Sequence, residues 1–204
     1  GKTTLMNLLS GMLAMDSGTV VMKDSKRFTK IQPHQISFYG ITRTFQDVRL
    51  FEQMTVLDNI LVVLTERNVF SAFFETHKEY HLKKAEEVLQ KVGLSEKKNQ
   101  LAANLSYGQR KLLEIARVLA MDKEIVLLDE PFSGLFPEMV KTVSKIIQEL
   151  KQKGNAVILV EHNMHLIREL SDYVFVMDEG KLLAEGEPRE VLGKKEVIEA
   201  YLGE

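Results

Sequence analysis

The chain has 204 residues, 45% hydrophobic and 27% charged, a balance that excludes a disordered chain and suits one α/β domain. Its 27 basic and 29 acidic side chains leave a formal charge of −2, so no global basic field is present to hold nucleic acid. Cysteine is absent, which excludes disulfides, thiol catalysis and Cys-ligated metal centres. Apolar runs such as Ile60–Leu64 stop at five residues, against the roughly 18–20 of a membrane-spanning helix. No secretory signal is legible in the opening residues, and a soluble intracellular protein is the expectation.

In chain order, Thr3 to Met12 reads as a helix with Leu5, Leu8, Leu9 and Met12 on one face. After the turn at Asp16-Ser17-Gly18, Thr19–Met22 is a short β-rich stretch, Ile31–Phe38 is mixed, and Gly40–Phe45 is a second strand. Val56–Leu64 begins a helical region, and Lys78–Val92 is a helix closed by Gly93. Little strand signal interrupts residues 57–120, which are assigned to a helical lobe. From Glu124 the α/β alternation returns: a strand at Glu124–Leu128, apolar enough for burial on both faces of a parallel sheet, then a helix over Pro137–Lys153. A second buried strand at Ala156–Val160 leads to a helix ending at Leu170. Tyr173–Met177 and Lys181–Ala184 form a hairpin-like pair, and Val191 to Tyr201 is the last helix.

Chemistry concentrates at a few places. Gly1-Lys2-Thr3-Thr4 matches the tail of a phosphate-binding loop, G-x-x-x-x-G-K-[ST], so the chain reads as a piece of a longer protein cut inside a nucleotide site. By itself that tripeptide equally fits a flexible terminus. Ile125–Leu128 followed by Asp129-Glu130 puts two carboxylates at the carboxyl edge of a strand, where α/β proteins bind ligands. Such a pair divides labour: Asp129 for Mg²⁺, Glu130 to polarise an attacking water. The plain alternative is a strand ending in an acidic turn. His77 and His81 share a helix face as zinc ligands do, but no third ligand is evident and a charged solvated face explains them better. The interleaved lysines and glutamates between residues 75 and 98 are read the same way.

Leu105-Ser106-Tyr107-Gly108-Gln109 followed by Arg110–Leu119 resembles the L-S-G-G-Q signature and helix of ATP-binding cassette (ABC) ATPases, with Tyr107 in place of the commoner glycine. Gly108 permits close backbone approach and the helix start favours an anion. In the order that family implies, Gln46 matches the glutamine loop, Ser133–Phe136 the D-loop (Phe136 replacing the usual Asp or Asn), and His162 the switch histidine. Arg43–Gln46, Leu50-Phe51, Asn59 and the ending Ala200–Glu204 resemble the branched-chain amino-acid importer ATPases; lipopolysaccharide exporter and urea importer ATPases share part of this set.

The resemblance implies a single P-loop ABC cassette over 1–204: a mostly parallel sheet core with an inserted helical lobe. It implies ATP and Mg²⁺ as ligands. Gly1, Lys2, Thr3 and Thr4, with Ser106, Gly108 and Gln109, would bind nucleotide; Thr3, Gln46 and Asp129 the metal; Glu130, His162 and Gln46 would carry hydrolysis. The implied partners are a second ATPase subunit, reached by Ser106 and Gly108, and transmembrane permease subunits. A peripheral place on the cytoplasmic membrane face follows. A soluble ABC protein of ribosome or DNA repair type is the rival class.

Overall fold

The computed structural model describes residues 1–22, 27–64 and 75–202, with only the backbone of 75–78 and 202. The chain forms two compact units, Gly1–Ile41 with Ile158–Glu204, and Thr42–Val157.

In the second unit, β3 (Ile41–Arg43), β4 (Ile125–Asp129) and β5 (Ala156–Val160) form a parallel sheet with β4 central. β3 and β5 run on into the first unit at Ile41 and Ile158. Val126, Leu127 and Leu128 are buried, as a strand covered on both faces requires. β5 departs from the expectation of a wholly buried strand: Ile158 is 38% exposed, because β5 has a partner strand on one side only among the described residues.

Helices α2 (Val56–Leu64), α3 (Glu75–Lys91) and α4 (Tyr107–Met121) pack on one another. Val56, Ile60, Leu89, Leu113 and Ala116 are fully buried there, each large side chain contributing about 1.5–3 kcal/mol. The entry to α2 is fixed by polar groups. The Thr55 hydroxyl accepts from the Asp58 N–H at 3.0 Å. Asn59, wholly buried, donates to the carbonyls of Phe51 and Thr55 and accepts from the Phe51 N–H, each at 3.0 Å. α5 (Pro137–Gln152) buries Val143, Ile146 and Ile147 on one face.

In the first unit, α1 (Lys2–Leu9) is shorter than the apolar spacing predicts. Gly11, at φ 70°, ends it, and the buried residue is Met6, while Leu5 and Met12 stay exposed. β1 (Val20–Val21) and β2 (Arg27–Phe28) pair antiparallel. α6 (Met164–Leu170) is capped by Asn163, whose side chain accepts from the N–H groups of His165 and Leu166. β6 (Val174–Asp178) and β7 (Lys181–Gly186) form an antiparallel hairpin. Glu179 and Gly180, both at positive φ, supply the tight turn that matches strand twist. The predicted last helix is two: α7 (Pro188–Val191) and α8 (Lys195–Leu202), broken around Gly193. Val174, Val176, Ala184, Val191, Leu192 and Val197 form this unit's apolar cluster.

Candidate active site

The acidic end of β4 is shaped by its neighbour β3. The Thr44 N–H donates to the Leu127 carbonyl at 2.9 Å, and the Thr44 hydroxyl accepts from the Asp129 N–H at 3.1 Å. Arg43 donates from Nη2 to Asp129 Oδ2 at 2.9 Å, with side chains only 3% and 1% exposed. The other oxygen, Asp129 Oδ1, is buried and has no hydrogen-bond partner among the described residues.

An open carboxylate oxygen in a buried setting is costly until a cation or water completes it. That fits Mg²⁺, which takes one or two carboxylates and fills its octahedron with water and phosphate oxygens. Among the described residues no group of three or more acidic or histidine side chains gathers to make an all-protein cage. The side chain of His77 lies outside the described residues. Glu130, next in sequence and half-buried, adopts a left-handed backbone at φ 46°. A non-glycine residue held there costs on the order of 1 kcal/mol or more, the kind of strain that clusters at reactive sites.

Gln46 is exposed, and its carbonyl accepts from Lys111 Nζ at 3.3 Å. Ser106 and Gln109 cap α4 reciprocally: Ser106 Oγ accepts from the Gln109 N–H at 3.4 Å, and Gln109 Oε1 accepts from the Ser106 N–H at 3.1 Å. The sequence motif is therefore also a capping box. Gly108 is buried, and a Cβ there would come within 2.7 Å of Met139 Sδ. Tyr107 lies over Gly134 of the Ser133–Phe136 loop, where a Cβ would approach the ring at 2.7 Å.

The first unit holds the remaining predicted residues. Gly1 is the N-cap of α1 and, as a glycine, makes no side-chain cap bond. Thr3 and Thr4 are exposed. Lys2 Nζ donates to the Tyr201 hydroxyl at 3.0 Å, and that hydroxyl donates to the Met177 carbonyl at 3.3 Å. His162 is exposed after β5; its N–H and that of Asn163 donate to buried Glu161 Oε2 at 3.0 and 3.3 Å.

In the sequence, Arg43, Lys111, Glu114, Arg117 and Tyr201 stand only as parts of a family pattern, with no role of their own. A signal for three of them was present: charges three apart, Lys111 just before the largely apolar stretch Leu112–Val118 and Glu114 and Arg117 within it. Burial pushes the Glu114 carboxyl above its ordinary value, against the opposing pull of the Phe45 N–H and Lys111.

A parallel sheet with a buried aspartate at the end of its central strand, together with a glycine-bearing capped helix start, is the architecture of a nucleotide-binding α/β protein. The family model described as ABC transporter matches residues 1–133, and the chain belongs to that family of ATPases. It is 38% identical to the high-affinity branched-chain amino acid transport ATP-binding protein LivG of Escherichia coli (strain K12), covering all of this chain and 83% of LivG. It is 36% identical, with the same coverages, to BraF of Pseudomonas aeruginosa, which bears the same description. Among solved structures, the ADP conformation of MJ1267, an ATP-binding cassette of an ABC transporter, superposes with a TM-score of 0.83 at 34% identity, covering 100% of this chain and 84% of that one.

Proposed function

We propose that this chain is the ATP-binding and ATP-hydrolysing subunit of an importer for branched-chain or related amino acids, working as a pair of cassettes on transmembrane permease subunits at the cytoplasmic membrane face. The observation that carries the hydrolytic assignment is the end of β4: a buried Asp129 with one oxygen held by Arg43 and the other open, followed at once by Glu130.

As the family resemblance implies, Asp129, the Thr3 hydroxyl and the Gln46 side chain would hold Mg²⁺, which when bound would supply positive charge to the nucleotide's phosphates. Lys2 adds its cation there, and the N–H groups at Gly1, Thr3 and Thr4 cradle the phosphate oxygens. Glu130 accepts the proton of the attacking water, which Gln46 orients, and His162 hydrogen-bonds the γ-phosphate. Ser106, Gly108 and Gln109, at the start of α4, face the nucleotide of the opposite cassette. Exposed Phe51, Met54 and Leu101 border the loop after Gln46 and, with the helical lobe at about 57–120, supply an apolar docking face for the permease.

Glu130→Gln tests this reading, because it keeps size and hydrogen bonding while removing the base. Hydrolysis should fall about 10²–10⁴-fold while ATP binding persists, so that an ATP-bound dimer accumulates in gel filtration with Mg-ATP. Hydrolysis at the parental rate would remove Glu130 from the mechanism. With the permease partners in proteoliposomes, ATP-driven uptake of leucine is expected; uptake of urea alone would move the solute assignment.

A further inference from the structure

The segment that carries Gln46 has left β3 and has not yet reached α2, so its backbone groups cannot be satisfied by a sheet or a helix. Its partners come instead from three charged side chains of α4. Glu114 Oε1 accepts from the Phe45 N–H at 3.0 Å. Lys111 Nζ donates to the carbonyls of Phe45 and Gln46 at 3.4 and 3.3 Å. Arg117 Nη1 donates to the carbonyl of Arg49. The three residues are spaced three apart, so successive members lie on adjacent turns of one helix side.

Burying these charges needs a reason. Lys111 is 1% exposed and Glu114 3%, figures reached by charged side chains almost only when paired. Apolar residues would pack this face of α4 at lower cost in desolvation. What they cannot do is bond an irregular backbone. Charge-assisted hydrogen bonds are roughly twice as strong as neutral ones, so they suit a segment that must be held without regular structure. The stacking of Arg49 over Phe45, at 4.2 Å from the ring centroid, and of Arg117 over Phe51, at 5.3 Å, adds to the hold.

From this we infer that Lys111, Glu114 and Arg117 are positioning residues for hydrolysis: a charged clamp by which the helix that presents Ser106 sets the place of Gln46. A movement of α4 then carries the Gln46 backbone with it, because both carbonyls around the Phe45–Gln46 peptide and the N–H before it are tied to that helix. The inference rests on the reading of Gln46 as a metal and water ligand.

A double-mutant cycle on ATP hydrolysis by the purified protein tests both. Glu114→Leu removes the acceptor for the Phe45 N–H. A misplacement of about 1 Å at a catalytic group can cost on the order of 10²-fold, so kcat should fall about 10–100-fold with KM for ATP little changed. Half-saturating Mg²⁺ should rise. Glu114→Gln, which retains an acceptor oxygen, should recover most of kcat. In a Gln46→Ala background Glu114→Leu should add less than about twofold, since the group it positions is gone. Lys111→Met, which replaces the buried cation with an apolar chain of similar length, should repeat the pattern and serves if Glu114→Leu does not fold. If Glu114→Leu, or Lys111→Met in its place, leaves kcat at the parental value, or loses the same factor with and without Gln46, the clamp is overturned while the role of Gln46 stands. If Gln46→Ala alone leaves kcat and Mg²⁺ dependence unchanged, the underlying reading of Gln46 fails, and the clamp's catalytic purpose with it.

Discussion

Replacing Arg43 by Met tests the electrostatics of the strand end most directly. Arg43 and Asp129 are both almost fully buried, with Nη2 and Oδ2 2.9 Å apart, and Asp129 Oδ1 has no hydrogen-bond partner among the described residues. Removing the guanidinium leaves Asp129 Oδ2 buried without its cation, and breaking a buried pair on one side costs about 3–5 kcal/mol. For a chain of this length each kcal/mol lowers Tm by about 2–4 °C, so Arg43→Met should melt roughly 6–20 °C below the parent at pH 7. Arg43→Met/Asp129→Asn, which removes both charges, should recover a good part of that loss. Mg²⁺ with nucleotide should also narrow the gap, because a divalent ion at Oδ1 supplies the missing positive charge. The assay is thermal denaturation of parent, single and double variants, in EDTA and in Mg-ADP. A loss of less than about 1 kcal/mol for Arg43→Met would refute the argument, since the pair would then not be what compensates Asp129.

Two further outcomes are expected. Gly134→Ala should cost about 1–3 kcal/mol, because φ there is 71° and the new Cβ would sit 2.7 Å from the Tyr107 ring; in a Tyr107→Ala background only the backbone part, about 1 kcal/mol, should remain by urea denaturation. Glu114, raised by burial above its ordinary value of 4.5, binds its proton more tightly folded than unfolded. Its contribution to stability is therefore greatest below pH 4.5 and is lost as pH rises through the raised value. Subtracting the urea stability of Glu114→Gln from that of the parent between pH 4 and 8 should give a difference that falls with rising pH, and a rising one would contradict the assignment.

Much of this protein was legible in its sequence because its motifs are local. Apolar Ile125–Leu128 followed by Asp129-Glu130 specifies a buried strand with acids at its end, since an unbroken short apolar run declares burial on both faces within a few residues. Ser106 and Gln109 specify a capped helix start just as locally. The turn of the last hairpin at Glu179-Gly180 was legible in the same way, whereas the end of α1 at Gly11 was not, because the apolar spacing runs on to Met12. What tertiary structure alone decided was the company these residues keep. Arg43 and Asp129 are 86 residues apart in sequence, and only the pairing of β3 with β4 makes them an ion pair. The burial of Lys111 and Glu114 was equally hidden, because a charge in a helix reads as solvent-facing until a segment some 65–69 residues away lays its unpaired backbone against it. Periodicity assigns a residue to a face; which chain segment covers that face is settled only when the whole chain has closed its hydrogen bonds, and at Asp129 one buried oxygen keeps no partner among the described residues.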